Sequence, residues 1–545
     1  MVTLYTRALG ALKAKEIRTH EGGVAFAVDP WTRLRRFLIL GSDGGTFYVS
    51  ARELTAENAA AVSACLAEDG LRAVAEIVAV AEAGLAPKQD PALFALALAA
   101  ASEDAATRRA ALDALPRVAR TGTHLFHFAA YVSALRGWGR GLRRAIGAWY
   151  TAKDPDALVY QAIKYRQRDG WTHADLLRLA HPVAPGPLHD AIFKWIVDGE
   201  LAVDANRTVP GGESLEQLLA FVRVQAATGA AEAATLIRAH RLPREAVPTA
   251  LLTEPEVWAA LLDEMPLGAM VRNLGTMSKV GLLTHGSDAA RTVRDRLGDG
   301  DRLRRSRVHP IAVLAALKVY AQGRGERGKG TWTPVAAVVD ALDEAFYAAF
   351  GNVEPTGQRI RLALDVSSSM DGNPVAGMPF LSAREASAAM ALVTARVEPD
   401  HEIVAYSHKL VPVSLSPRQR LDDVLKTLRA IPFGGTFCAL PIHDALRSGV
   451  KIDAFVSYTD SETWDGNAAG SAWLRNQGGD VPDAPVAETL VAYRNKMGLP
   501  ARHAVVGLCS NGFTVADPAD PGQLDIVGFD ASAPAVLAGF IRGEV

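Results

Sequence analysis

Residues 360–370 read IRLALDVSSSM. Ile360–Val366 has the length and apolar density of a buried strand, and Asp365, Ser367 and Ser369 fall where that strand must end. Downstream the grammar repeats. Residues 384–396 read as helix, 402–406 as strand, 421–428 as helix, 454–458 as strand, 484–496 as helix and 504–508 as strand. Alternating strands and helices of these lengths predict an α/β doubly wound, mostly parallel sheet, whose ligands sit beyond the carboxyl ends of the strands. Upstream of Gly357 the pattern is different. Stretches such as ENAAAVSACLAE, PALFALALAAA and PEVWAALLDEM recur across residues 51–350 without intervening strands. Many short amphipathic helices in succession predict an α-solenoid of stacked helix pairs. Thr253 before Glu254-Pro255 and Thr333 before Pro334 read as helix caps. The division expected is therefore 1–357 and 358–545. One early stretch, residues 36–49 (RFLILGSDGGTFYV), reads as two strands around a glycine turn and is expected to pack on the second domain.

The D-x-S-x-S run offers one carboxylate and two hydroxyls within a single turn, all of them oxygen donors. A hard divalent cation such as Mg²⁺ is bound by such groups, in octahedral geometry with several waters retained. Thr436, after Gly434-Gly435, and Asp460, at the end of the 454–458 strand, fall where the topology brings further donors. Asp365, Ser367, Ser369, Thr436 and Asp460 together resemble the metal-ion-dependent adhesion site of von Willebrand A domains. Phe437 stands where many of those domains carry Asp, which alters the surroundings that tune affinity. No nucleophile, base and oxyanion donor converge on these residues, so the metal reads as a binding device and no enzyme activity is expected.

In the helical half, residues 164–181 read KYRQRDGWTHADLLRLAH. Lys164 and Arg168 are four apart and would share one helix face. Arg178 and His181 are three apart on a following helix that Thr172 would cap. Two cationic rows of this kind suit a phosphate backbone, with Trp171 and His181 offering stacking or hydrogen bonds. The same spacing is also that of a solenoid turn with a core Trp and solvated charges. Arg136, Arg140, Arg143 and Arg144 are further phosphate candidates on charge and location.

The net charge of −2 hides an asymmetry: residues 361–545 carry −6 and residues 1–360 carry +4. Residues 108–168 hold 12 basic and 3 acidic side chains, and 291–332 hold 11 against 4. Clusters like these attract a polyanion when they share a face. A chain of 545 residues, 49% hydrophobic and 22% charged, exceeds a single core and argues against extensive disorder. No run of apolar residues is long enough to span a membrane, and no signal peptide is read at the N-terminus. Cys65, Cys438 and Cys509 lie far apart without metal-ligand spacing, which makes a reduced cytoplasmic compartment the expectation.

YRQRDGWTHADLLRLAHP resembles the most recognisable segment of the TROVE module of Ro autoantigen proteins. THLFHF (123–128), GWGRGLRRAIGAWY (137–150), LLDEMPLGAMVRNLGTM (261–277) and RVHPIAVLAALKVYAQGRGERGK (307–329) match it in order. LILGSDGGTFY precedes them, and VEPTGQRIRLALDVSSSM, SNGFTVADP and DIVGFD complete the likeness, which runs from about residue 30 to the end. The resemblance implies a ring of HEAT-like helical repeats closed by a von Willebrand A-type domain. It implies that small noncoding Y RNAs bind the outer basic surface and that single-stranded ends of misfolded RNAs enter the ring. Lys164, Arg168 and His181 match positions tied to RNA binding, whereas Ala174 replaces a family lysine and removes one phosphate contact. It further implies a scaffold in RNA quality control, processing or decay, a monomer, and an exoribonuclease as protein partner. A metal-dependent protein–protein adaptor acting through the A-type domain alone is the alternative.

Overall fold

The computed structural model describes residues 16–18, 24–26, 30–41, 46–48, 59–199, 215–325, 330–432, 436–460, 476, 484–508, 515–517 and 520–545. These fall into two compact units. One comprises Leu66–Gly84 and Lys88–Glu354; the other comprises Met1–Cys65, Leu85–Pro87 and Pro355–Val545.

The chain opens with a short antiparallel pair, β1 (Glu16–Arg18) and β2 (Val24–Phe26). Helix α1 (Pro30–Leu40) and strand β3 (Thr46–Tyr48) follow. The expectation of two strands across 36–49 is thus half corrected: Arg36–Leu40 is helical and only Thr46–Tyr48 is extended. The run Phe37–Leu40 is buried throughout and belongs to a helix opened by Pro30, a length and start that a short apolar run alone does not distinguish from a strand. The expected packing partner is right. β3 pairs in parallel with the last strand of the sheet, Thr46 opposite Asp525 and Tyr48 opposite Val527. Arg35 Nε donates to Glu544 O at 3.0 Å, and the buried guanidinium of Arg36 donates to Pro521 O. These bonds group the early residues with 355–545 and not with the helices that follow them.

The helical unit is built from α2 (Ala60–Ala83), α3 (Asp90–Ala101), α4 (Ala105–Val118), α5 (Gly122–Leu135), α6 (Arg140–Thr151) and α7 (Pro155–Lys164). A two-residue hairpin, β4 (Gln167–Arg168) and β5 (Trp171–Thr172), interrupts the series before α8 (His173–Ala180) and α9 (Pro187–Asp198). It continues with α10 (Glu216–Ala226), α11 (Ala230–His240), α12 (Pro255–Glu264), α13 (Leu267–Lys279), α14 (Asp288–Gly298), α15 (Gly300–Ser306), α16 (Pro310–Ala321) and α17 (Ala336–Ala348). Neighbours stack: α3 on α4 and α5, α11 on α12, α16 on α17. Side-chain caps set several starts, with Asp104, Thr121 and Asp154 each accepting from a backbone N–H of the first turn. Thr253 and Thr333 are not caps. Thr253 ends a 3-10 turn with its hydroxyl on Ala250 O, and the residues preceding α12 and α17 are Glu254 and Val335.

The second unit holds β6 (Ile360–Asp365), α18 (Ser369–Gly372), β7 (Pro374–Val375), β8 (Met378–Ser382), α19 (Ala383–Val397), β9 (His401–Tyr406) and β10 (Leu410–Pro412). After these come α20 (Leu421–Arg429), α21 (Leu440–Ser448), β11 (Ala454–Thr459), α22 (Val486–Met497), β12 (Arg502–Gly507), β13 (Gln523–Val527) and α23 (Ala533–Arg542). The sheet order is β10-β9-β6-β11-β12-β13-β3, parallel except for the β10–β9 edge. β6 is buried along its whole length, so its two charged residues, Arg361 and Asp365, must be satisfied inside. Arg361, 4% exposed, pairs with Glu402 and Asp444 at 2.7 Å each and donates to Pro441 O. On the same sheet face Ala363, Val404 and Phe455 pack with Ile442 of α21 and Leu490 and Tyr493 of α22. With β6 central, its carboxyl end opens between β9 and β11.

Candidate nucleic-acid interface and metal centre

The parallel register aligns Leu364 with Tyr458 and Asp365 with Tyr406, so β6, β11 and β9 end together. The Asp365 carboxylate accepts from the Ser367 amide and from the Thr459 hydroxyl, both at 2.8 Å. Ser367 Oγ and Ser369 Oγ lie 3.0 Å apart. Phe437 N donates to Ser407 O at 3.0 Å, which brings neighbouring Thr436 to the end of β9. Asp460 follows β11, and like Asp365 it is 1% exposed. Burial pushes the Asp365 carboxyl up to about 6, against the bonds from Ser367 and Thr459 and with the nearby charge of Asp460 adding to the rise. Two adjacent buried carboxylates with serine and threonine hydroxyls form an oxygen-only donor set suited to a small hard cation. Among the described residues no group of three or more His, Cys, Asp or Glu gathers. Phe437 is buried and contributes no donor; Gly434 and Gly435 lie outside the described residues.

Two participants escaped the sequence reading. Thr459 was detectable in principle, because parallel register sets it beside Asp365. Arg384 was not. It is 2% exposed on α19, donates to Ser367 O at 2.9 Å and lies 2.9 Å from Asp371. It buttresses the D-x-S-x-S turn from behind.

In the helical unit α7 ends at Lys164, whose ammonium donates to Tyr160 Oη at 2.8 Å and lies over the Tyr160 and Tyr165 rings. Partial burial opposes its charge, but the Tyr160 bond and the charges of Tyr160, Tyr165 and Glu245 outweigh it, and the pKa sits above the usual lysine value. Arg168 does not share that helix. The chain leaves α7 and forms the β4–β5 hairpin, with Asp169 and Gly170 both at positive φ, 51° and 78°. An Asp-Gly pair with two left-handed residues is the signature of a type I′ turn, and it was the available signal that the helix stops. Arg168 stands 61% exposed at the hairpin, with Asp169 3.9 Å away. His127 contacts the Asp169 carboxylate and lies 3.7 Å from Asp90, which ties the turn to α5 and α3.

Thr172 caps α8 as expected, in a full capping box: its hydroxyl accepts from Asp175 N, and Asp175 accepts from Thr172 N. Arg178 is exposed and donates to Val197 O at 2.6 Å. His181 is exposed but stands just past α8, in the left-handed cap position with φ 47°, so it is not part of the helical row predicted for it. Trp171 is half-buried against Trp138, with ring centroids 5.4 Å apart, and is committed to that pair. Arg140, Arg143 and Arg144 are exposed and, at i, i+3 and i+4 of α6, share a face. Arg136, also exposed, donates to Ala101 O and Ser102 O. Ala174 is half-buried on α8. Unread in the sequence was His173, buried among Phe126, Trp149 and Tyr150, with Tyr150 Oη 2.8 Å from its Nδ1. Burial lowers its pKa to about 4, so it is a neutral core group and no phosphate contact.

Stacked helices with an exposed cationic flank, followed by a mostly parallel sheet whose central strands end in clustered oxygen donors, define a helical-repeat protein with a von Willebrand A-type domain. The TROVE domain model matches residues 17–198 and 239–318, and the Ro60 vWA domain model matches residues 359–541. The chain belongs to the Ro60 family. It is 43% identical over 537 residues to the RNA-binding protein Ro60 of Deinococcus radiodurans, covering 98% of this chain and 97% of that protein. It is 33% identical to the RNA-binding protein Ro60 of Caenorhabditis elegans, covering 99% and 92%. Its fold matches the crystal structure of the Deinococcus radiodurans Ro (Rsr) protein with a TM-score of 0.86, over 95% of this chain and 100% of that one.

Proposed function

We propose that this chain is a non-enzymatic RNA-binding scaffold. Structured small noncoding RNA of the Y type binds the flank carrying Lys164, Arg168, Arg178 and His181. Single-stranded ends of misfolded or structured RNA enter the opening of the helical ring. The observation that carries this reading is charge left without partners. Among the described residues Lys164, Arg136, Arg140, Arg143, Arg144 and Arg178 have no carboxylate within ion-pair distance, and Arg168 has only Asp169 at 3.9 Å. Guanidiniums without a carboxylate partner are what a phosphate backbone requires. The names of the two curated relatives, both RNA-binding proteins, support the same reading and favour a binder over an enzyme.

The second unit contributes a Mg²⁺ site formed by Asp365, Ser367, Ser369, Thr436 and Asp460, whose open position accepts a carboxylate from a protein partner. An exoribonuclease held through the RNA or through this site would make the chain a quality-control or processing platform, working as a monomer in the cytoplasm. No helix among the described residues is long and apolar enough to cross a membrane. The adaptor alternative rests on the same oxygen donors. Purification from the host at low salt followed by phenol extraction separates the two: co-purifying RNA of about a hundred nucleotides is expected. Protein free of RNA, retaining only an Mg²⁺-dependent protein partner, would overturn the RNA reading.

A further inference from the structure

The cluster of Arg108, Arg136 and Arg140 has a feature that the outer-flank reading does not use. The three arginines line a single cavity of about 450 Å³, together with Trp138 and the backbone of Gly137 and Gly139. That volume falls in the range of small-ligand sites, roughly 300–1,000 Å³. No acidic residue lines it.

Two of the guanidiniums are fixed side by side. Arg108 Nη1 donates to Ser102 O and Glu103 O at 2.7 and 3.1 Å, and Arg136 Nη1 donates to Ala101 O and Ser102 O at 3.1 and 3.0 Å. Both therefore grip the carbonyl of Ser102 at the end of α3, using one nitrogen each. Capping a helix C-terminus accounts for one cation. It does not account for a second on the same carbonyl, nor for Arg140 across the cleft. A guanidinium has five N–H donors, so most of each fork stays available. Among the described residues none of the three has a carboxylate within 4.0 Å, although the charge of Arg108 acts on Asp104. Gly137, at φ +81°, and Gly139 border open space: a Cβ on either would meet nothing within 4 Å. The aromatic element is Trp138, half-exposed and backed by Trp171 of the β4–β5 hairpin.

We propose that this cleft is a single-nucleotide site, in which an unpaired base stacks on Trp138 while its phosphate is held by Arg108, Arg136 and Arg140. Stacking and cation contacts together recognise a nucleotide without reading its sequence. The site rests on the RNA-binding reading and deepens it by assigning to one strand nucleotide a place separate from Lys164, Arg168 and His181. A free mononucleotide carries the same chemistry, so the test includes both sources.

The probes are a six-nucleotide oligouridylate, uridine monophosphate, inorganic phosphate and a structured hairpin RNA. The variants are Arg140→Gln, which removes no side-chain hydrogen bond among the described residues, Trp138→Leu and Trp138→Phe. Oligouridylate affinity is expected to fall roughly tenfold in Arg140→Gln and Trp138→Leu, and less than threefold in Trp138→Phe, which retains a ring. Hairpin RNA affinity should stay within about twofold in Trp138→Leu, because a paired RNA presents no free base to the indole. Competition by uridine monophosphate supports the cleft and assigns it to free nucleotides as well. Oligouridylate binding that uridine monophosphate fails to displace supports a strand-only site, provided the variants lose affinity. Oligouridylate binding unchanged in both Arg140→Gln and Trp138→Leu overturns the proposal. Inorganic phosphate competing as well as uridine monophosphate overturns the stacking. Wild-type protein that binds oligouridylate but no hairpin RNA would instead defeat the outer-flank reading and leave the cleft standing.

Discussion

Asp365 and Arg168 mark the two ends of what single residues disclose. Asp365 could be read from sequence as a candidate oxygen donor because its neighbours in the chain, Ser367 and Ser369, are also its neighbours in space. One strand ending in D-x-S-x-S fixes three donors at once. Asp460 and Thr436 were placed by topology; Asp460 follows β11, which runs beside β6, and the bond from Phe437 N to Ser407 O sets Thr436 near the end of β9. Arg384, by contrast, reaches the same turn from a helix that sequence spacing does not connect to it. Asp365→Asn keeps the side chain's size and its bond to Ser367 N but removes half of the anionic charge of the donor set. Mg²⁺ affinity by calorimetry is expected to fall at least tenfold, with RNA affinity within about twofold of wild type. An equal loss of both would contradict the separation of the two sites. His173 shows the opposite hazard: a histidine inside a basic stretch looks like a ligand, and only burial among three aromatic rings reveals it as core.

At the scale of elements, the helices of the first unit were legible because their apolar period is local, although Thr253 and Thr333, read as caps, are not. The β4–β5 hairpin was not. Lys164 and Arg168 have helical spacing, yet the Asp-Gly turn overrides it, so the two cations leave different elements. The hairpin's geometry should matter for RNA. Gly170 sits at φ 78°, where a β-branched side chain is strained by roughly 1–2 kcal/mol. Gly170→Val is expected to weaken hairpin RNA several-fold while leaving the α-helical circular dichroism signal intact. Unchanged affinity would mean that Arg168 need not be held on this turn. The capping box that starts α8 can be tested separately. Thr172→Ala removes the hydroxyl that accepts from Asp175 N, a loss of about 1 kcal/mol. Amide exchange across 173–180 should accelerate roughly fivefold, and no change would show that packing alone fixes the helix start. The early stretch 36–49 was misread for a related reason: four apolar residues fit a strand or a buried helix equally, and Pro30 settles which.

For the whole molecule, buried histidines in both units couple stability to pH. Burial lowers His173 to about 4 in the helical unit and His503 to about 3 in the sheet unit. Both stay neutral in the fold, whereas in the unfolded chain each takes up a proton near pH 6.5. The unfolded state then binds more protons, so stability falls as pH drops from about 6.5 toward 4, by at most ~1.4 kcal/mol per pH unit for each histidine. Melting temperatures between pH 7 and 5 should decline, and the decline should be shallower in His173→Gln with His503→Gln, the remainder coming from His124 and His309, which burial also lowers to about 4. A flat wild-type profile would contradict the assignment. Charge is distributed on the same scale: the sequence carries −6 beyond residue 360 and +4 before it. Composition made that polarity visible, but which arginines lack partners is decided by tertiary contacts.

The central claim, that an unneutralised cationic flank of the helical unit binds structured RNA, is tested most directly by filter binding of a hairpin-containing noncoding RNA across a salt series. Wild-type protein is compared with Lys164→Ala plus Arg168→Ala. Each phosphate contact contributes about 0.7–0.9 to the slope of log affinity against log salt. The double variant is expected to bind at least tenfold more weakly at low salt, with a slope shallower by roughly 1.4–1.8. Equal affinity and equal slope for the two proteins would contradict the account.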